Sequence, residues 1–130
     1  MKYLLDTSII VDHLRGKKAI ASNYLEAGSV VSVITQAELF YGAYKSNKPR
    51  HNLNKIKQML ADLKVEIQPL EESVINQYGK LKTKLEGKGR RLDDFDLLIA
   101  STALSFGLIL VTRNVKHFSR VPQLKVAAES

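Results

Sequence analysis

Four side chains with oxygen donors interrupt otherwise apolar segments of this 130-residue sequence, and they are Asp6, Glu38, Asp96 and Asn114. Three carboxylates that meet in a partly dry site repel one another, so the arrangement is unfavourable unless a cation lies among them. A donor set made only of oxygen suits Mg²⁺ or Mn²⁺ rather than zinc. Such an ion activates a bound water and stabilises the charge of a phosphoryl group that is being transferred.

Each carboxylate also has a simpler structural explanation. Asp6 and Asp96, or Asp94 beside it, are residues that cap helices. Glu38 is the type of residue that the dipole favours in the first turn of a helix. The chemical interpretation therefore depends on whether the fold brings the set together.

Apolar, β-branched runs predict buried strands at residues 2–5, 30–33, 65–68 and 108–111, with a candidate edge strand at 125–127. Amphipathic segments between them predict helices. Thr7 or Ser8 is expected to cap the first helix and Thr35 the third, which would put Glu38 in a first turn. Further helices are predicted at 19–27, 53–63, 74–85 and 94–106, and the last is apolar almost all round, so it should be buried.

Strands that alternate with helices predict an α/β fold, a three-layer α/β/α sandwich around a central parallel sheet of four to five strands. The length fits a single domain over residues 1–130. In parallel sheets, functional groups gather at the carboxyl ends of the strands and at the helix starts beside them. All four oxygen-donor residues fall at such places, so we expect them to meet at one edge.

Composition narrows the function classes. The chain has no cysteine, which excludes disulfides and thiolate metal sites and fits a reducing cytoplasm, our expected location. It has no apolar run long enough to span a membrane and no signal-peptide pattern at its start. The net charge of +7 favours a polyanionic partner such as nucleic acid.

Four segments together resemble the PIN-domain ribonucleases, and within them the VapC-type toxins of toxin–antitoxin pairs. The segments are Leu5-Asp6-Thr7-Ser8, Thr35-Gln36-Ala37-Glu38-Leu39 with Gly42, Gly89-Arg90-Arg91 leading into Asp96-Leu97-Leu98-Ile99-Ala100, and Val111-Thr112-Arg113-Asn114 with His117-Phe118. They lie in the family's order and cover essentially the whole chain. The resemblance implies a PIN-like fold and a Mg²⁺- or Mn²⁺-dependent endoribonuclease that hydrolyses phosphodiester bonds in RNA.

The resemblance also assigns roles. Asp6, Glu38 and Asp96 match the acidic metal ligands and, with Asn114, form the expected catalytic set. Asn114 stands where many members have a fourth acid, which weakens any second metal site. Thr112, Asp93 and Ser8 are expected to hold the metal ligands in position. Asp93 is expected to be either an occasional ligand or a helix cap.

The expected partners are the RNA substrate, a second copy of the chain in a homodimer, and a small VapB-like antitoxin that inhibits the toxin. The antitoxin would place a basic side chain in the acidic site and an apolar helix beside Phe40 and Tyr41.

Basic residues supply the expected RNA contacts. Between residues 45 and 91, twelve Lys and Arg stand against five Asp and Glu. Because carboxylates repel phosphate, a basic rim is needed beside them. Lys88, Arg90 and Arg91 lead directly to Asp96 and are the predicted RNA-binding residues, whereas Lys80, Lys82 and Lys84 are equally explained as a solvated helix face.

Two other functions stay open at this point. One is a catalytically weak RNA-binding module of the same type that a partner protein sequesters. The other is a phospho-receiver domain, which is disfavoured because the mid-chain strand at 65–68 leads into Pro69-Leu70 rather than an acceptor aspartate.

Overall fold

The computed structural model describes residues 2–129 and contains one five-stranded sheet within that range. The strands are β1 (Tyr3–Leu5), β2 (Ser29–Ser32), β3 (Glu66–Gln68), β4 (Ile109–Thr112) and β5 (Val126–Ala128). The helices are α1 (Thr7–Leu14), α2 (Ser22–Glu26), α3 (Val33–Lys45), α4 (Pro49–Asp62), α5 (Glu72–Gly87), α6 (Asp94–Phe106) and α7 (Val115–Phe118).

The strand order is β3-β2-β1-β4-β5, and every neighbouring pair is parallel. Strand β1 lies at the centre, where Leu4 aligns with Val30 on one side and with Leu110 on the other. The predicted α/β class with a parallel sheet is therefore confirmed, with the candidate edge strand present as β5. Because all strands run the same way, their carboxyl ends share one edge of the sheet.

Alternate strand residues pack on opposite faces of this sheet, as strand geometry requires. Leu4, Val30 and Leu110 join one apolar cluster, to which α5 and α6 contribute Leu81, Leu85, Leu97, Ile99, Ala100 and Ala103. Leu5, Val31 and Val111 join the other, to which α1, α3 and α4 contribute Ile9, Ile10, Leu39, Ala43, Ile56 and Leu60. The molecule therefore has the three layers that the sequence predicts.

Helix α6 has the predicted bounds and is the most deeply buried helix, with six of its residues inaccessible. Gly107 ends it in the left-handed conformation, at φ 64°, which glycine adopts without the steric cost of a Cβ. Phe95 differs from the expectation that this helix is buried, because 47% of its surface is exposed.

The start of α3 differs from the prediction. The helix begins at Val33, directly after β2, and Ser32 is the cap, since its hydroxyl accepts a hydrogen bond from the Ile34 amide. The β-branched Val33 favours strand as much as helix, which displaced the predicted boundary. Thr35 is therefore not a cap but a buried residue of the first turn, and Glu38 lies in the second turn.

Two further helix boundaries differ. The predicted helix at 19–27 is only α2, Ser22–Glu26, because Ile20 and its neighbours form a loop in which the Ile20 amide donates to Nδ1 of His13. No periodic pattern in the sequence indicates α7, a single turn after β4. Its Phe118 is fully buried and fixes the chain between β4 and β5.

We expect Phe118→Ala to lower the free energy of unfolding by about 3–5 kcal/mol, because it empties a large buried volume beneath the loop that carries Asn114. The measurement is urea-induced unfolding. Val115→Ala, on the same helix but 37% exposed, is the matched control and should cost less than about 1 kcal/mol. Equal effects of the two substitutions would show that α7 does not anchor this loop.

Candidate active site

Asp6 lies directly after β1, at the carboxyl edge of the sheet, and only 3% of its surface is exposed. It occupies the cap position of α1, yet its carboxylate makes no capping hydrogen bond. Instead, Oδ2 accepts hydrogen bonds from the hydroxyls of Thr112 at 2.7 Å and Ser8 at 3.0 Å. The side chain is thus oriented by two neutral donors and does not serve as a helix cap.

The same two hydroxyls fix the loop after β4. The Asn114 amide donates to Oγ1 of Thr112 at 2.9 Å, and the Arg113 amide donates to Oγ of Ser8 at 3.4 Å. Thr112 is fully buried. Ser8 and Thr112 therefore tie the start of α1, the end of β4 and the Asp6 carboxylate into one network.

Glu38 reaches the same region from α3. Its Oε1 accepts a hydrogen bond from Oγ1 of Thr7 at 2.7 Å, and that hydroxyl is also 2.9 Å from Oγ1 of Thr35. Neither Thr7 nor Ser8 caps α1 as the sequence suggested. Both hydroxyls are used to hold carboxylates, one on Glu38 and one on Asp6.

Asp96 lies in the first turn of α6. Asp93 caps this helix, because its Oδ1 accepts a hydrogen bond from the Asp96 amide at 3.1 Å. Of the two roles expected for Asp93, the structure shows the cap. Oδ2 of Asp96 lies 3.6 Å from Nδ1 of His117, a residue that the sequence placed in a family segment but in no role.

The four predicted catalytic residues line a single open cavity of about 390 Å³, together with Thr7, Ser8, Val11, Asp12 and Arg113. Asp6 enters it from β1, Glu38 from α3, Asp96 from α6 and Asn114 from the loop after β4. The parallel sheet therefore brings these four side chains to one edge, as the positions in the sequence predict. Asp93 does not line this cavity but supports its Asp96 side.

The cavity is strongly acidic. Burial, together with the charges of Asp93 and Asp6, raises the pKa of Asp96 to about 6, while His117 acts in the opposite direction. Burial also raises the pKa of Glu38, partly offset by the Thr7 hydrogen bond, with Asp6 and Asp93 adding to the increase. The carboxylates thus destabilise one another's charged forms, as uncompensated like charges do.

These residues supply the oxygen donors of a divalent metal site, but the donors are not yet grouped around one point. Within residues 2–129, no three His, Asp or Glu side chains are grouped tightly enough to hold a metal ion as they stand. The carboxylates nevertheless line one cavity, and their mutual repulsion is the electrostatic condition that a cation relieves. The oxygen-only donor set fits Mg²⁺ or Mn²⁺ in chemistry, and one oxygen of Glu38 accepts a hydrogen bond from Thr7 in this structure.

The predicted RNA-binding residues lie outside the acidic cavity. Lys88 ends α5, and the amide of Arg90 donates to the carbonyl of Leu85 at 2.8 Å. The carbonyl of Arg91 accepts from Nη1 of Arg120 at 2.7 Å, and Arg91 lines a separate depression of about 270 Å³ that also includes Asp93 and Asp94. The basic loop therefore lies beside the start of α6 without entering the site.

Four residues at the site have contacts that the sequence did not predict, and they are Thr7, Asp12, Arg113 and His117. Asp12 was detectable, since residues four apart share a helix face and Ser8 is four residues before it. Arg113 had a weaker signal, its place between Thr112 and Asn114. The contacts of Thr7 with Glu38 and of His117 with Asp96 join distant parts of the chain, so spacing alone did not indicate them.

A family model described as PIN domain matches residues 3–124. Ribonuclease VapC2 of Rickettsia felis is 39% identical over 129 residues, which cover 95% of each chain. Ribonuclease VapC2 of Haemophilus influenzae is 37% identical over 129 residues, and tRNA(fMet)-specific endonuclease VapC of Shigella flexneri is 32% identical over 128, each alignment covering 96% of both chains.

Solved structures agree with these matches. VapBC2 from Rickettsia felis, bound to a DNA fragment from its promoter, superposes with a TM-score of 0.90 at 36% identity over all of both chains. DNA-bound VapBC from Salmonella typhimurium superposes with a TM-score of 0.91 at 28% identity over 98% of both chains. The similarity thus extends over essentially the full chain in both sequence and structure.

The electrostatics predict how stability depends on pH. The pKa of Asp96 is higher in the folded protein than its ordinary 3.8, so folding binds a proton between these values. The stabilising contribution of this group is present below about pH 4 and is lost as the pH rises through about 6. Glu38, whose pKa is also raised, acts in the same direction.

We therefore expect Asp96→Asn to increase the free energy of unfolding at pH 7.5 in EDTA by about 1–2 kcal/mol, after allowing for solvent screening. The gain should shrink as the pH falls through about 6 and disappear below about pH 4, and urea unfolding of both proteins is compared at these pH values. Asp94→Asn is the matched control, because its pKa is lowered by hydrogen bonds from Lys82 and Tyr78. That variant should lose stability at pH 7.5, and an Asp96→Asn protein no more stable than wild type would contradict the electrostatic account.

Proposed function

The chain belongs to the PIN-domain family and is similar over its full length to VapC ribonucleases, and we infer from this that it is an endoribonuclease, the toxin of a toxin–antitoxin pair. The observation that carries the proposal is the convergence of Asp6, Glu38, Asp96 and Asn114 on one cavity. The proposed reaction is hydrolysis of a phosphodiester bond in RNA. One domain over residues 1–130 carries it, in keeping with the family match over residues 3–124.

Nucleases of this family generally depend on a divalent metal ion, and we assign Mg²⁺ or Mn²⁺ here because all the donors are oxygens. Asp6 and Asp96 would hold the ion directly, and Glu38 directly or through water. The ion, when bound, supplies Lewis acidity to a phosphate oxygen and a water of lowered pKa.

The protein's own part in the reaction is orientation. Thr112 and Ser8 hold the Asp6 carboxylate in place, and Asp93 fixes the first turn of α6, which carries Asp96. Glu38 is the carboxylate placed to orient the attacking water and to accept its proton, because a raised pKa makes a carboxylate a stronger base. Asn114 contributes a neutral oxygen and no charge, which favours one metal ion over two.

RNA is proposed to approach across the basic loop, where Lys88, Arg90 and Arg91 supply positive charge beside the acidic cavity. Arg120 anchors this loop through its hydrogen bond to the Arg91 carbonyl. Cations at this position attract the phosphate backbone without specifying sequence. The catalytically weak RNA-binding alternative shares these contacts and differs only in the carboxylate chemistry.

The proposed protein partners follow from the relatives, whose solved structures include VapBC complexes. A VapB-like antitoxin is proposed to neutralise the acidic cavity with a basic side chain and to lay a helix beside Phe40 and Tyr41. Tyr41 and Tyr44 are about two-thirds exposed, which leaves an aromatic surface for a partner on α3. No helix in the described part of the chain has the length and apolar character to cross a membrane, and a cytoplasmic location stays a prediction.

The cleavage test compares wild type with Asp96→Asn while Mg²⁺ or Mn²⁺ is titrated against a structured RNA. Asp96→Asn should lower the cleavage rate at least about a hundredfold, because it removes a charge that holds the ion. Asp94→Asn, two residues away and outside the cavity, removes the same charge and should cleave like wild type. Asn114→Asp should bind metal more tightly with equal or higher activity.

Two results would overturn the enzyme proposal. Equal activity of wild type and Asp96→Asn would show that the carboxylates are not catalytic, and full activity in excess EDTA would show that no metal is needed. RNA binding without any metal-dependent cleavage would favour the catalytically weak module instead.

We also expect a homodimer. The support is the family resemblance and the exposed aromatic surface of α3. Light scattering at tens of micromolar should give twice the 14.6 kDa chain mass. A monomer under those conditions would contradict the expectation. Tyr44→Ser removes part of the exposed aromatic surface of α3 and should lower the mass towards that of one chain.

A further inference from the structure

Arg113 is the cationic side chain among the described residues that line the acidic cavity. The other lining residues include four carboxylates, Asp6, Asp12, Glu38 and Asp96. A phosphodiester that enters this cavity therefore meets a surplus of negative charge even when one divalent ion is bound. The basic loop does not relieve this surplus, because Lys88, Arg90 and Arg91 line no part of the cavity. A second source of positive charge is needed inside it.

The backbone of Arg113 is fixed by the network that orients Asp6. Its amide donates to Oγ of Ser8, and the residues on either side, Thr112 and Asn114, are joined by a hydrogen bond of 2.9 Å. Thr112 in turn donates to Asp6. These hydrogen bonds fix the backbone of Arg113 relative to the Asp6 carboxylate.

The guanidinium is held from the α1 side. Nε of Arg113 forms an ion pair with Oδ2 of Asp12, and the two side chains are 20% and 25% exposed. Asp12 lies one helical turn after Ser8, so α1 presents both residues on one face. The ion pair with Asp12 therefore helps to orient the guanidinium of Arg113.

We propose that Arg113 binds the phosphate of the RNA substrate inside the acidic cavity and that Asp12 is the positioning residue that holds it there. The inference rests on the proposed function and adds to it a phosphate contact distinct from the metal ligands and the basic loop. A guanidinium suits this role, because its planar set of N–H donors matches phosphate oxygens and stays charged at any working pH. Because the backbone of Arg113 is already fixed, the side chain loses less conformational freedom when the substrate binds.

The competing explanation is that the Arg113–Asp12 pair only fastens α1 to the loop after β4. The two explanations differ in the effect expected when each partner is removed alone. If the pair is structural, losing either partner has the same consequence. If Arg113 binds phosphate, losing Arg113 removes a substrate contact, whereas losing Asp12 leaves the positive charge in place and removes only its orientation.

The experiment uses four full-length variants. Arg113→Gln removes the charge and keeps most of the stem, Arg113→Lys keeps the charge without the planar fork, and Asp12→Asn removes the same ion pair from the other side. Lys125→Gln is the control, because Lys125 is an exposed cation just before β5, at the opposite edge of the sheet. Binding to a fluorescent single-stranded RNA is measured in EDTA over a range of salt, and cleavage of saturating RNA is measured with Mn²⁺.

Arg113→Gln should weaken RNA binding about five- to tenfold at low salt and reduce the slope of log K against log salt by about one unit. It should also slow cleavage of bound RNA at least tenfold. Arg113→Lys should restore the slope but not the cleavage rate. Asp12→Asn should keep the affinity and slope of wild type while cleaving severalfold more slowly, and Lys125→Gln should match wild type in cleavage.

The proposal is overturned if Arg113→Gln binds RNA with wild-type affinity and slope, or if Arg113→Gln and Asp12→Asn change binding and cleavage alike. If Arg113→Gln does not fold, Arg113→Lys decides the matter: wild-type cleavage by that variant contradicts the need for the planar fork. The binding measurement needs no cleavage, so it tests Arg113 even if the wild type proves inactive. Inactivity of the wild type, or wild-type activity of Asp96→Asn, would instead count against the proposed function.

Discussion

Repulsion among carboxylates is the constraint around which this molecule is arranged. Asp6, Glu38 and Asp96 come from three separate elements and line one cavity, where burial and neighbouring charges raise the pKa of Glu38 and Asp96. A protein that minimised its own energy would not place them together. Their placement costs stability in the metal-free state, and the surrounding structure has to hold the carboxylates in position despite it.

Hydroxyl groups do most of that holding. Thr112 and Ser8 donate to Asp6, and Thr7 donates to Glu38 while in contact with Thr35. Each such hydrogen bond to a charged group is worth about 1.5–3 kcal/mol. Neutral donors orient a carboxylate without cancelling its charge, whereas a lysine or arginine in the same place would neutralise it. The choice of serine and threonine therefore preserves the attraction of the cavity for a cation.

The sheet explains why only a few residues are needed to hold the carboxylates in position. Strand β1 is central, so Asp6 at its end is flanked by the ends of β2 and β4, from which α3 and the Thr112–Asn114 loop begin. The registers of Leu4 with Val30 and Leu110 fix these ends relative to one another. The positions of the proposed catalytic groups are thus set by backbone pairing in the core rather than by flexible surface loops.

This dependence on strand ends is what made the site predictable from the sequence. Buried strands and the apolar helix α6 have strong local patterns, and a parallel sheet then places Asp6, Glu38, Asp96 and Asn114 at one edge. Predictions about hydrogen-bond roles were weaker. Thr35 was expected to cap α3 and is buried beside Thr7, because Ser32 competes for the same role and no local pattern ranks the two. The single turn α7 is defined by the burial of Phe118, which only the assembled core determines.

Charge within the cavity was the least predictable feature, since it depends on contacts between distant segments. The sequence showed a surplus of basic residues between 45 and 91, yet the cation that lines the cavity is Arg113, outside that stretch. The acid that pairs with it, Asp12, adds to the negative charge of the cavity as a whole. An acidic residue is favourable there only if its local effect on Arg113 outweighs its repulsion of phosphate. Coulomb energy falls with distance, so an acid in contact with the guanidinium acts most strongly on Arg113 itself.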